Sequence, residues 1–383
     1  MYNELAAYIR EMYDRPDGFI PMHEPRFIGN EKKYLEQCID TTFVSSVGEF
    51  VDRFAKMMCE MTGAAYAIPV SNGTAALHLS LVGAGVKQDD EVLTQSLTFI
   101  ATCNAIVYEK ATPHFIDIDA DTLGMSPEKL KDRLEEIAEM RNGECFNRET
   151  GKRIKACVPM HTFGLPLRID EIAEICNEYN IVLIEDAAES LGSTYKGQHT
   201  GRFGKLGAIS FNGNKIATSG GGGAILTDDI ELGKHLHHLS TQAKIPHTYN
   251  YEHDYIGYNY RMPNINAALI CAQLEQLHRF VEDKRQIHEA YKQFFQEIDD
   301  IDLLDEIGQA NSNYWLNAIQ VESKEKKVEF LENLNAAGIM CRPVWKLLHT
   351  LPMFSQCPKG NLSNSTEAED KTINITSSSR LNG

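Results

Sequence analysis

Asn180-Ile181-Val182-Leu183-Ile184-Glu185-Asp186-Ala187-Ala188-Glu189 is the stretch whose reading decides the fold. Its apolar run is nearly continuous and stops at carboxylates. A strand with one wet face would alternate; a continuous run marks a strand buried on both faces, as in a parallel sheet between helices. Just before it, Ile172, Ile175, Cys176 and Tyr179 recur at i, i+3, i+4 and i+7, one face of a helix. Further upstream the alternation repeats. Ala65-Ile68 leads into a helical pattern over Thr74–Leu81, and Glu91-Thr94 into Ile100–Tyr108. His114–Ile118 precedes a helix opened by Ser126-Pro127, with Leu130, Leu134 and Ile137 on one face, and Ala156–Met160 is the next strand. Strands and helices in turn predict an α/β fold with a mainly parallel central sheet.

After Leu226 the pattern changes. His235, His237 and His238 fall in a helical stretch, read as a solvated face, and a polar aromatic region runs from His247 to Arg261. Ile265, Ala268, Leu269 and Ala272 mark a long helix. Tyr314–Val321, Lys326–Ala337 and Ile339–Pro343 then read as strand, helix and strand, with Gly338 stopping the helix. The expected organisation is a large domain over 23–249, a smaller C-terminal α/β domain over 250–383, and residues 1–22 packing with the small domain. The Ser/Asn-rich end, Asn361 to Gly383, reads by composition as a disordered tail, although Ile373 and Ile375 argue for a last strand.

Composition narrows the function. The chain has 383 residues, 43% hydrophobic and 24% charged, enough for a large core without disulfide or metal staples. A formal net charge of −17 without a basic run disfavours nucleic acid. No apolar stretch reaches the length of a membrane helix, and Met1 to Arg15 is polar, unlike a signal peptide; a cytoplasmic protein is expected. The nine Cys include no Cys-x-x-Cys pair, so no metal site is expected and the thiols read as reduced.

Four segments carry possible chemistry, each placed where a strand ends, the usual ligand edge of an α/β sheet. Ser71-Asn72-Gly73-Thr74-Ala75 turns into a helix N-terminus, which offers free amides and a positive dipole end to a phosphate, or is an ordinary cap. Asp186 ends the most apolar strand. Ser210-Phe211-Asn212-Gly213-Asn214-Lys215 follows another strand and precedes the glycine run Gly220–Gly223. An isolated Lys is usually solvated, but one held among small residues near a carboxylate at another strand end is a candidate imine-forming amine. Gly257-Tyr258-Asn259-Tyr260-Arg261-Met262-Pro263 either anchors an anion or packs its aromatics. A dinucleotide site is disfavoured, because Gly83-Ala84-Gly85 has no third Gly in place and follows a helix.

Together these residues resemble the DegT/StrS group of sugar nucleotide aminotransferases. Asp186 and its surroundings, Ser-Phe-Asn-Gly-Asn-Lys at 210–215, the glycine run and Asn-Tyr-Arg-Met at 259–262 carry the likeness. Pro25–Gly29, Gly73–His78, Thr98–Thr102, His161–Gly164, Arg342-Pro343 and Asn374-Ile375 extend it, in order, over nearly the whole chain. The resemblance implies a pyridoxal-phosphate (PLP) dependent transferase of fold type I and a folded tail. It assigns Lys215 as the amine bound to the cofactor's aldehyde and as proton shuttle, and Asp186 as partner of the pyridine nitrogen. Phe99 would stack on the ring. Gly73, Thr74, Ala75 and Ser210 would hold the phosphate, helped by Asn259 from the second subunit of a homodimer with a shared active site. Glu189 stands where many relatives carry Gln and would face the cofactor's phenolate oxygen, which a carboxylate repels unless protonated or turned away. The usual Gly-Glu-Gly-Gly is here four glycines. Asn214, Tyr260, Arg261 and Arg342 are the expected substrate contacts, and His161 either lines the sugar pocket with them or keeps a hydrogen-bonded structural role.

The implied reaction moves an amino group from L-glutamate, through the pyridoxamine form of the cofactor, to a sugar ketone on a nucleoside diphosphate. The stretches around 43–48, 186–193 and 212–214 look most like enzymes acting at C4 of UDP-4-keto-6-deoxy-N-acetylglucosamine, on routes to legionaminic acid or bacillosamine and so to bacterial surface glycans. GDP- and dTDP-linked sugars are the alternatives. Lys215 argues against the branch that carries His there and dehydrates its substrate. A rival of another class is a non-catalytic regulator that binds PLP or a sugar; no appended DNA-binding module is visible to mark one.

Overall fold

The computed structural model describes residues 1–382. Seven strands form the central sheet: β1 (Tyr66–Val70), β2 (Glu91–Gln95), β3 (Thr112–Ile116), β4 (Ile154–Val158), β5 (Val182–Asp186), β6 (Leu206–Ser210) and β7 (Gly223–Thr227). Their spatial order is β1-β7-β6-β5-β4-β2-β3. The run from β6 to β3 is parallel; β7 alone is inverted, pairing antiparallel with β6 and β1. The carboxyl ends of β2, β4, β5, β6 and β1 therefore share one edge with the start of β7. The expected mainly parallel α/β sheet is present.

The continuous apolar run occupies β5, mid-sheet, with Ile184 fully buried. Its one charged interior residue, Glu185, accepts hydrogen bonds from the amides of Gly201 (2.7 Å) and Gly204 (2.7 Å) and from His161 Nε2 (3.0 Å). Burying a carboxylate is tolerable only with that many donors.

Helices cover both faces. On one face α4 (Gly73–Gly83), α5 (Ile100–Tyr108) and α8 (Ile230–Ser240) pack Leu77, Ile106 and Leu236 on Ile68, Val92 and Ile225. On the other, α6 (Pro127–Ile137) and α7 (Ile169–Glu178) cover β4, β2 and β3 with Leu134 and Ile172, while α2 (Glu31–Asp40), α3 (Glu49–Thr62) and α9 (Asn264–Leu274) build a second cluster over β1, β7 and β6 around Phe54 and Phe211. Ser126 caps α6 by accepting from the Lys129 amide, with Pro127 in its first turn.

A second sheet of four antiparallel strands, β8 (Ile301–Leu303), β9 (Asn317–Val321), β10 (Arg342–Pro343) and β11 (Thr372–Ile375), has the order β8-β9-β11-β10. Its core joins Ile287 and Tyr291 of α10 (Leu277–Phe295), Phe330 of α11 (Lys324–Ala336), and Leu5 and Ile9 of the N-terminal helix α1 (Tyr2–Met12). The boundary expected at residue 250 falls later by packing: α9 lies on α2 and α3, and the chain crosses to the small sheet only with α10. The long helix read from Ile265 breaks there, at Glu275-Gln276.

The compositional reading of a disordered end is wrong. Ser363–Lys371 is a helix, α12, whose first amides, Asn364 and Ser365, donate to Asp117 at 2.9 and 2.8 Å, and β11 follows as the central partner of β9 and β10. A polar composition can fold when a neighbouring element supplies the acceptors. Among the described residues, no helix is long and apolar enough to cross a membrane, and no cluster of His, Cys, Asp or Glu could hold a metal ion.

Candidate active site

The shared strand edge frames a cavity of about 360 Å³. Asp186, the last residue of β5, reaches it from below. Its Oδ2 accepts from the Thr102 hydroxyl at 2.7 Å and its Oδ1 from the Ala188 amide at 3.2 Å. Burial pushes this carboxyl upward, against the lowering pull of those donors and of Lys215.

Lys215, in the loop after β6, enters the same cavity with its side chain 13% exposed. Its Nζ donates to Glu189 Oε1 at 2.9 Å and lies 4.0 Å from the centre of the Trp315 ring. Glu189 is buried, its other oxygen accepts the Phe163 amide at 2.9 Å, and burial raises its pKa. The carboxylate that sequence alone would set against a phenolate oxygen is thus already paired with a cation.

The opposite end is the N-terminus of α4. The Asn72 side chain caps it by accepting the Ala75 amide at 2.8 Å, and the Ala76 amide bonds to the Asn72 carbonyl. Among the described residues this leaves the amides of Gly73 and Thr74 without an acceptor in the chain. Ala75, expected to hold a phosphate through its amide, instead spends that amide on the cap and does not line the cavity. Ser210 closes this end; a Cβ on Gly73 would come within 2.8 Å of the Ser210 Cβ.

The glycine run explains itself here. A Cβ on Gly223 would lie 2.6 Å from the carbonyl carbon and oxygen of Asn72 and 3.0 Å from the Gly73 amide nitrogen. Those atoms are backbone and cannot turn aside. Gly223→Ala is therefore expected to push the α4 turn out of place, lowering stability by about 1–3 kcal/mol in urea unfolding and weakening PLP binding in a titration.

Phe99, at the N-cap of α5, stays 50% exposed at the cavity wall, an unusual position for a large apolar ring and a suitable one for a face that stacks. Buried acid, amine, free helix amides and exposed ring all face one space, and each would answer one part of PLP: ring nitrogen, aldehyde, phosphate and ring plane. The residues fit the cofactor.

Of the other expected contacts, Asn214 lines the cavity. His161 does not: it is fully buried, with Nε2 bonded to Glu185 and Nδ1 accepting the Leu167 amide at 3.3 Å. Both nitrogens are used by the fold. Tyr260 stacks on Tyr258 and bonds His78 through its hydroxyl, Arg261 is held by the exposed Asn259, and Arg342 is exposed on β10; none of these lines the cavity of its own chain. Sequence reasoning missed Thr102, Trp315 and Trp345. The i, i+3 spacing of Phe99 and Thr102 was the available signal for the first. The two Trp residues are the only ones in the chain, and both line this cavity.

A wider groove of about 1000 Å³, bordered by Val281, Arg285, Lys292 and Asp305, lies elsewhere. Its charges neutralise one another, Lys292 with Asp305 at 2.6 Å and Arg285 with Glu306 at 2.7 Å, so volume alone is a poor guide to chemistry.

Fold and site together define a PLP-dependent sugar aminotransferase. The chain belongs to the DegT/DnrJ/EryC1/StrS aminotransferase family, whose model matches residues 25–383. It is 38% identical to EpsN of Bacillus subtilis over 335 residues, covering 88% of this chain and 84% of that protein. It is 37% identical to GDP-perosamine synthase of Escherichia coli O157:H7 over 338 residues, 88% of each. Among solved structures, the aminotransferase TlmJ from Streptoalloteichus hindustanus superposes with a TM-score of 0.86 over 95% of both chains, at 24% identity.

Proposed function

We propose that the protein transfers the amino group of L-glutamate to the C4 ketone of a 4-keto-6-deoxy sugar carried on a nucleoside diphosphate. The observation that carries this reading is that Lys215 and Asp186 line one and the same cavity. PLP, when bound, supplies the electron sink that lets an amino acid lose its α-proton and hand on its nitrogen. The chain's own groups do the rest. Lys215 Nζ would hold the cofactor at its aldehyde and, when free, would move the proton. Asp186 holds the pyridine nitrogen protonated, and Thr102 fixes the carboxyl that does so. Glu189 fixes the lysine between turnovers. Gly73, Thr74 and Ser210 hold the phosphate, and Phe99 and Trp345 border the ring. Asn259, exposed and outside its own chain's cavity, is assigned to the site of a second copy, which makes the working unit a homodimer. A cytoplasmic setting, where nucleotide sugars and glutamate are both supplied, suits this chemistry.

Two carriers have support. Similarity to GDP-perosamine synthases at 37%, 36% and 33% identity favours a GDP-linked sugar. The stretches at 43–48, 186–193 and 212–214 favour UDP-linked 4-keto-6-deoxy-N-acetylglucosamine. A panel of GDP-, UDP- and dTDP-linked 4-keto-6-deoxy sugars, incubated with the PLP-loaded protein and L-glutamate, decides by the mass of the product. One carrier is expected to be aminated far faster than the others; no amination of any member overturns the proposal.

A further inference from the structure

Trp315 meets the reactive loop twice. Its ring face lies under Lys215 Nζ, 4.0 Å away, and its indole N–H donates at 2.7 Å to the carbonyl of Asn214, the residue immediately before the lysine. The first contact holds the end of the side chain; the second holds the backbone from which it springs. A cation over the face of an indole is attracted by the ring quadrupole, and Trp is the best ring for it.

The tryptophan is itself tightly held, though it comes from a different part of the fold, just before β9. Its amide donates to Asn313 Oδ1 at 2.8 Å, and Asn313 Nδ2 donates to the carbonyls of Glu189 and Leu191, both at 2.9 Å. Its carbonyl accepts from the buried Lys284 side-chain amine at 3.0 Å. Ser312 reaches the Gly164 carbonyl at 2.9 Å. The residue before it, Tyr314, sits at φ +43, a left-handed conformation costly for a bulky side chain. Its own packing holds it there: the hydroxyl donates to Asp305 at 2.6 Å and the ring stacks on His288 at 3.7 Å. A strained turn so over-determined delivers the next side chain, 3% exposed, to the amine.

We propose that Trp315 is a positioning residue for Lys215: one indole fixes both the amine and the peptide that carries it, so that the amine points at the reacting carbon. The proposal rests on Lys215 being the cofactor-binding amine. It assigns Trp315 no proton or bond of its own. Misplacing a reacting group by about 1 Å costs on the order of 100-fold in rate, so the effect belongs in the rate of reaction and not in cofactor affinity.

The experiment compares Trp315→Phe, which keeps a ring face and loses the N–H, with Trp315→Leu, which loses both, in PLP-loaded protein. Four quantities are read: the single-turnover rate with saturating L-glutamate, the glutamate KM, the fraction of cofactor that borohydride traps on the Lys215 peptide, and the melting temperature. Expected are rates lower by roughly 5-fold for Phe and about 30–100-fold for Leu, a reduced trapped fraction for Leu, and KM within twofold of the parent. A Leu variant within twofold of the parent rate overturns the proposal, as does a loss fully restored by excess PLP or matched by a collapse in melting temperature. If the Leu variant does not fold, Trp315→Phe decides, and an unchanged rate and trapped fraction overturn the proposal. Lys215→Arg, run beside them, keeps the two readings apart. Full turnover in that variant removes Lys215 as the amine, whereas an inactive Lys215→Arg with an unaffected Trp315→Leu removes only the role of the tryptophan.

Discussion

Replacing Lys215 is expected to abolish transamination while leaving the fold in place. The expected loss with Lys215→Ala is at least about 10³-fold, the range that positioned acid–base groups supply, compounded by the lost covalent attachment. Alanine alone is an imperfect test, because it strands Glu189, whose side chain is 1% exposed and, among the described residues, otherwise bonded only to the Phe163 amide. Leaving a buried charge unpaired is destabilising. Here the damage is limited, since burial already pushes the Glu189 carboxyl toward its neutral form. Lys215→Arg closes the gap: guanidinium preserves the ion pair and the contact with Trp315 but stays protonated and cannot attack an aldehyde. Both variants are expected to melt cooperatively, to yield no borohydride-trapped peptide and to show no turnover. Measurable turnover in either would move the proton carrier elsewhere.

Asp186→Asn is the second large effect, and it separates function from stability. The amide matches the carboxyl in shape and keeps the Thr102 bond, but it cannot hold a pyridine nitrogen protonated. Turnover is expected to fall by roughly 100–1000-fold, the scale of losing one preorganised electrostatic partner. Stability of the PLP-free protein should move the other way. The folded-state pKa of Asp186 is raised, chiefly by burial. For a raised acid, the native state binds the proton more tightly than the unfolded one, so its contribution is favourable below the unfolded pKa and is lost as pH rises through the folded one. At neutral pH the raised carboxyl contributes less to stability than it does in acid, and Asp186→Asn is expected to melt no lower, or higher, than wild type. A melting temperature that falls, together with near-normal turnover, would contradict the electron-sink role.

The legible parts of the fold were those where one pattern had one explanation. The run ending at Asp186 can only be a doubly buried strand, and the acid at its end lies at the ligand edge because every parallel strand ends there. The break between α9 and α10 was hidden, since neither Gly nor Pro marks it and Asn264–Leu274 is buried on most sides, so periodicity gives no single face. Strand β10 shrank to Arg342-Pro343 because the residues before it pair elsewhere: the Ile20 amide donates to the Gly338 carbonyl at 2.8 Å and the Met340 amide to the Ile20 carbonyl at 2.9 Å. Within the site, the motifs carrying Lys215, Asp186 and Phe99 gave the residues that the fold brings around one cavity. His161 stayed open between two readings because a histidine at a strand end looks the same in sequence whether it faces a ligand or, as here, the buried Glu185. Trp315 was invisible for the opposite reason. Its role depends on a long-range approach between two regions that share no local pattern.

Both indoles of the chain stand at the wall of one cavity, Trp315 beside Lys215 and Trp345 between Phe99 and Phe163. The protein consequently carries its own optical reporter, with no tryptophan elsewhere to dilute the signal. Selective indole emission follows the state of that single compartment, so occupancy by cofactor, amino donor or sugar can be titrated on the unlabelled chain.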